Sequence, residues 1–192
     1  MRSFGSAIGA AVCIVLAALG SSCTILPRDT GPATTEVQVI ADTARQAQEQ
    51  MALGNYKRAL EIYSLAHDKN HLPGLKQDHA RLGEQIRAAS DTAYQKGNFA
   101  EAGSAYRILF ESGITTGDLA GSLSFDGDYV SGRIEACSKA LMEIGLTKYR
   151  EEKLDEAIAV WKKILVFDAD NKNVKKAIDT ATTQLQRLKN IK

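Results

Sequence analysis

Three stretches of this chain carry the same pattern. Gly54 to Tyr63 (GNYKRALEIY) lines up with Gly97 to Tyr106 (GNFAEAGSAY) and with Glu152 to Trp161 (EKLDEAIAVW). Each begins at a turn, places a large apolar residue two positions on, an alanine three beyond that, and an aromatic four beyond the alanine. Gly54 and Gly97 can take the positive φ that ends one helix and lets another begin. Ala59, Ala102 and Ala157 suit a close helix crossing, where a longer side chain would not fit. Tyr63, Tyr106 and Trp161, one turn later, suit the gap between helical hairpins. Self-similarity of this kind constrains the fold more than composition does, because each unit must bury its apolar face on a neighbouring copy.

The pattern resembles the tetratricopeptide repeat, a helix–turn–helix unit of 34 residues. The third copy matches over the longest stretch. Leu141, Ile144 and Gly145 fall on the family's large, large and small positions in the first helix, and Leu154, Ala157, Ile158, Trp161 and Ile164 continue through the second. Asp168-Ala169-Asp170-Asn171 stands where the family closes with Asp-Pro-x-Asn, with alanine in the place of proline. The second copy keeps Ile86 and Ser90, while the first has Thr43 and Gln46 where bulky residues are usual. Spacing departs from the family. Gly97 follows Gly54 by 43 residues and Glu152 follows Gly97 by 55, an excess of 9 and of 21. The first excess predicts a longer helix, since Leu75, Leu82, Ile86 and Ala89 still share a face. The second includes Gly113 to Gly127 (GITTGDLAGSLSFDG), which reads as an irregular loop. Beyond the third copy, Val174, Ala177, Ile178, Ala181, Leu185 and Leu188 recur at helical spacing. Lys175, Lys176, Asp179, Gln184 and Arg187 lie opposite them, as expected of a helix that caps the stack. The expected fold is all-α: about three irregular tetratricopeptide-like hairpins and a C-terminal capping helix. An irregular helical bundle with chance matches is the alternative.

The N-terminus reads as a targeting device. Arg2 precedes a run of 13 apolar and small residues, Ala7 to Leu19, too short for an ordinary membrane span and the right length for a signal-peptide core. Gly20-Ser21-Ser22 and then Cys23 follow. Gly20 and Ser22 satisfy an ordinary signal peptidase, which wants small residues at −3 and −1. The same stretch resembles the bacterial lipobox, in which the cysteine after the cut becomes the diacylated N-terminus. Gly20 occupies the place where that motif usually has leucine. Lipidation would give Cys23 a role and leave Cys137 as a lone thiol, read here as a small buried hydrophobe. A diacyl anchor holds firmly because each buried methylene contributes about 0.8 kcal/mol. Thr24 rather than Asp follows the cysteine, which by resemblance points to the outer membrane, facing the periplasm. A soluble secreted or periplasmic protein is the other reading. The expected organisation is a signal peptide over 1–22, a lipidated tether over 23–35 containing two of the three prolines, and a repeat domain over 36–192.

Loss of residues 1–22 leaves 170 residues with 23 basic and 23 acidic side chains, a balance that argues against nucleic-acid binding. His67 and His71 are four apart with Asp68 and His79 nearby, but His71 leads into Leu72-Pro73-Gly74, so a zinc pair on one helix face is not expected. Lys172 and Asn173 likewise spoil a calcium loop after Asp168-x-Asp170. With no nucleophile elbow, phosphate loop or paired-cysteine motif, the sequence suggests neither an enzyme nor a cofactor nor a small-molecule substrate. The resemblance instead implies a concave face that grips segments of other cell-envelope proteins. Its positions here are Gln48 and Met51, then Glu84, Arg87, Asp91 and Tyr94, then Lys139, Met142, Leu146 and Tyr149. A membrane-tethered scaffold is the expectation; a structural accessory subunit packed permanently on a larger envelope or secretion complex is the alternative.

Overall fold

A computed structural model describes residues 32–191 of the chain. The expected signal peptide, Cys23 and the expected tether up to residue 31 lie outside the described residues. Seven α-helices and no strand occur among those described: α1 (Pro32–Ala52), α2 (Tyr56–Asn70), α3 (Pro73–Gln95), α4 (Phe99–Glu111), α5 (Gly127–Arg150), α6 (Leu154–Phe167) and α7 (Lys172–Ile191). No described helix is long and apolar enough to cross a membrane. The first helix starts at Pro32, ahead of the tether boundary expected at residue 35. Proline causes no conflict there, since its missing N–H would be unsatisfied in a first turn anyway.

Successive helices pack on one another along the chain, and α1 on α3, α2 on α4 and α4 on α6 add contacts between next-nearest elements. The three related segments fold alike, down to single hydrogen bonds. Gly54, Gly97 and Glu152 all have positive φ, at 73°, 79° and 61°. The N–H of the next residue donates five residues back in each case: Asn55 to Gln50 at 2.9 Å, Asn98 to Ala93 at 2.9 Å, Lys153 to Lys148 at 3.0 Å. These bonds satisfy carbonyls that a helix end would otherwise orphan. Ala59, Ala102 and Ala157 are wholly buried, and Tyr63, Tyr106 and Trp161 are at most 3% exposed. Small residues recur seven positions before each turn, where Ala47, Ser90 and Gly145 are all buried. At Gly145 the fit is closest. A Cβ there would lie 2.1 Å from Trp161 Nε1, and the indole N–H donates to the Met142 carbonyl at 3.2 Å. Ile144, expected as a large core residue, is instead 38% exposed.

The two insertions take different forms. The first lengthens α3 to 23 residues, with Leu75, Leu82 and Ile86 in the core and Ala89 half-buried. The second is a turn-rich segment containing one 3-10 turn (Ala120–Ser122), and it packs back on α3. Ile114, Thr115 and Phe125 are buried. Ile114 and Leu123 press on Gly83, where a Cβ would come within 2.7 Å of Ile114 Cδ1. Asp126 then starts α5 by accepting from the Tyr129 N–H at 2.8 Å. At the other end, Asn171 caps α7 by accepting from Val174 N–H at 3.0 Å, and Val174 and Ala181 bury against the body. Lys175, Lys176, Asp179, Gln184 and Arg187 stay exposed, so α7 is one-sided as expected.

Candidate functional site

The ten positions expected to line a groove fall into three groups. On α1, Gln48 donates through Nε2 to Gln85 Oε1 at 3.2 Å, tying α1 to α3, and Met51 is half-buried against the core.

On α3, Glu84, Arg87, Asp91 and Tyr94 stand three or four residues apart, so they form one stripe. They are the hub of a polar network. Arg87 Nε meets Glu84 at 3.0 Å and its Nη1 meets Asp91 at 2.6 Å. Asp91 also accepts from the phenols of Tyr106 on α4 and of Tyr129 on α5, the latter at 2.7 Å, and lies 3.5 Å from Arg133. Arg133 Nε donates to the Tyr106 oxygen at 3.0 Å, and its guanidinium sits 4.0 Å from the Tyr94 ring centre. Glu84 holds the inserted segment by accepting from the Ser124 backbone N–H at 2.5 Å and hydroxyl at 2.9 Å.

Electrostatics follows from that geometry. Burial pushes the Asp91 carboxyl up, but the Tyr106 and Tyr129 hydrogen bonds and the Arg87 and Arg133 charges outweigh it and hold it below the ordinary range. Glu84 is likewise held low, its desolvation outweighed by Ser124 and Arg87. Burial, then the hydrogen bond to Asp91, raises both Tyr106 and Tyr129. The carboxylates stay ionised and the phenols protonated near neutral pH, with their bonding capacity used on one another. This arrangement clamps α3, α4, α5 and the inserted segment; it presents no poised acid or base.

On α5 the third group is more open. Lys139 is exposed and Met142 half-buried. Leu146 and Tyr149 line a cavity of about 300 Å³ with Trp161 and Ala177, rimmed by Asn173, Lys176 and Thr180. The Tyr149 hydroxyl donates to Gln184 of α7 at 2.6 Å, and its ring lies 6.0 Å from that of Trp161. Tyr149 therefore joins the capping helix to the last hairpin as well as facing the cavity.

The sequence reading missed Tyr129, Arg133 and Ser124, which complete the clamp. All three lie in or just after the inserted segment, where the repeat offers no register. Among the described residues no three His, Cys, Asp or Glu side chains come together as metal ligands. Cys137 is fully buried, and desolvation pushes its thiol up to about 11 against the opposing charge of Arg133. Such a thiol is inert. No family model, curated protein or solved structure matches the chain.

Proposed function

We propose that this chain is a tetratricopeptide-like, non-catalytic scaffold, exported and tethered to the outer membrane through a diacylated Cys23, that holds segments of other envelope proteins. The observation that carries the reading is the threefold recurrence of one turn, one buried alanine and one buried aromatic at matched positions. Stacked units of that kind expose an extended face suited to gripping peptides. Of the ten groove positions, Lys139 on α5 is exposed and Leu146 faces the cavity, so these two are best placed to serve a partner. Leu146 and Tyr149 line the cavity from α5, with Lys176 on its α7 rim. The α3 positions contribute by rigidity, since their side chains already hold one another.

This division changes which variants test the reading. Tyr94 and Tyr149 are poor probes, because both brace the fold through Arg133 and Gln184. The combined change Lys139→Glu and Lys176→Glu is better, since both side chains are exposed. Affinity capture from native envelopes should lose its partner with this variant while thermal melting stays close to wild type; an unchanged partner set refutes the groove. Mass spectrometry of the mature N-terminus tests the anchor separately. A diacylated Cys23 supports it, and a free amine at residue 21 or 23 removes it.

A further inference from the structure

The clamp lies on one side of α3; near its N-terminal end a second cluster has no role in that network. There α2 ends at Asn70, His71 takes the left-handed conformation at φ 52°, and Pro73 opens α3. Two histidines meet at this joint. His67 Nδ1 on α2 and His79 Nε2 on α3 are both sealed from solvent, and neither has a hydrogen-bond partner. The His79 ring stacks on Tyr63 with centres 5.7 Å apart and planes 13° apart, and the His67 ring meets His71 edge-on at 6.1 Å. Two cavities of about 390 and 270 Å³ run beside the pair, sharing Ser64, His79 and Ser112 as walls. The second is bordered by the inserted segment at Gly113, Ile114 and Leu119.

We infer that the α2–α3 joint is a proton-sensitive latch, closed while the His79 imidazole is neutral and released when it is protonated. An imidazolium needs partners for two N–H groups, and the sealed Nε2 of His79 has none in the closed joint. Opening admits water to both rings.

The charged surroundings leave this logic intact. From α2, the neighbouring His67 opposes a proton on His79 and Asp68 favours it, while Lys57 and Glu61 line the first cavity with opposite signs. From α3 itself, Lys76 lines the second cavity, and Asp78 pairs with Arg81 at 2.9 Å beside Tyr63. Glu111 of α4 and Asp118 of the inserted segment complete the set. Burial dominates, and with the neighbouring His67 it outweighs Asp68, holding His79 down at about 4 against an ordinary 6.5. The sign follows directly. The depressed value makes the closed joint fully stable above about 6.5, and stability is lost as pH falls from there towards about 4, because only the open form takes the proton. The opening equilibrium therefore rises by up to about tenfold per pH unit in that window.

Hydrogen exchange on the full chain at pH 7.5 and 5.0, corrected for intrinsic exchange chemistry, tests this. The expected result is a roughly thirtyfold loss of protection at pH 5.0 in residues 63–70 and 113–119, with α6 unchanged. His79→Phe keeps an aromatic ring against Tyr63 and cannot titrate, so it should abolish the pH effect. A joint equally protected at both pH values, or a His79→Phe protein with the same acid response, overturns the latch. Should that variant fail to fold, NMR titration of the wild-type imidazoles decides. His79 neutral at pH 5.5 supports the latch, and His79 titrating near 6.5 overturns it.

Discussion

Replacing Gly145 by alanine should destabilise this protein, although alanine is the better helix former. A Cβ at position 145 would sit 2.1 Å from Trp161 Nε1, 2.5 Å from Cδ1 and 2.7 Å from Cε2. All three belong to one rigid ring that is 1% exposed, so the indole must move as a whole by about an ångström or more. Overpacking of a close-packed site costs about 1–3 kcal/mol. Displacing the indole also weakens its hydrogen bond to the Met142 carbonyl, about 1 kcal/mol. Against this, alanine in a helix interior gains about 0.5–1 kcal/mol over glycine. The balance is a net loss of roughly 2 kcal/mol, or a melting point lower by roughly 4–8 °C for a domain of this size. Gly132 is the internal control. It lies in the same helix with nothing within 4 Å of a built Cβ, so Gly132→Ala should raise stability by about 0.5–1 kcal/mol. Thermal melting followed by circular dichroism and by fluorescence of Trp161, the single tryptophan, measures both. In a Trp161→Phe background the Gly145→Ala penalty should shrink, giving a coupling of at least about 1 kcal/mol in a double-mutant cycle. If Gly145→Ala melts at or above the wild-type temperature, the glycine–indole contact is misjudged and with it the register of the third hairpin.

Other substitutions probe the remaining features. Glu152→Gly should stabilise by about 1 kcal/mol, because Glu152 holds the left-handed turn that glycine holds in the first two copies, while Gly97→Ala should cost about as much; urea midpoints report both. Asp91→Asn removes the charge on which two arginines and two phenols converge and should cost roughly 2–4 kcal/mol, with the loss of exchange protection centred on the start of α5; a change under about 0.5 kcal/mol would mean the clamp is ornamental to stability. Below about pH 4 that same contribution should fade in the wild type, since the lowered carboxyl values of Asp91 and Glu84 stabilise the fold only while both are ionised. Ala157→Trp should overpack a fully buried crossing by roughly 1–3 kcal/mol, and an unaltered melting curve would refute the assignment of that alanine to the helix crossing.

What the sequence disclosed divides by the range of the interaction responsible. Gly54 and Gly97 marked their turns directly, since positive φ is a local demand that residue type reveals. Glu152 satisfies the same demand with the wrong residue type and was legible only by alignment with the other two copies. Pro32 sits in what the sequence alone presents as a tether, yet it opens α1, because proline in a first turn and proline in a linker look identical without the helix that follows. The inserted segment was legible as irregular from its glycines, serines and threonines. Its docking was not, because Ile114 and Leu123 find their place through the missing side chain of Gly83, some thirty to forty residues away. The stripe of Glu84, Arg87 and Asp91 is visible at helical spacing and looks, from sequence alone, like a surface for others. Its partners Ser124, Tyr129 and Arg133 sit where the 21 extra residues break the repeat arithmetic, so nothing local announced that the stripe was already occupied. The insertion thus does more than lengthen a loop. It supplies the groups that convert the middle of an expected binding face into a brace, and it leaves the end of that face, between α5 and α7, as the part to which the proposed function assigns a partner.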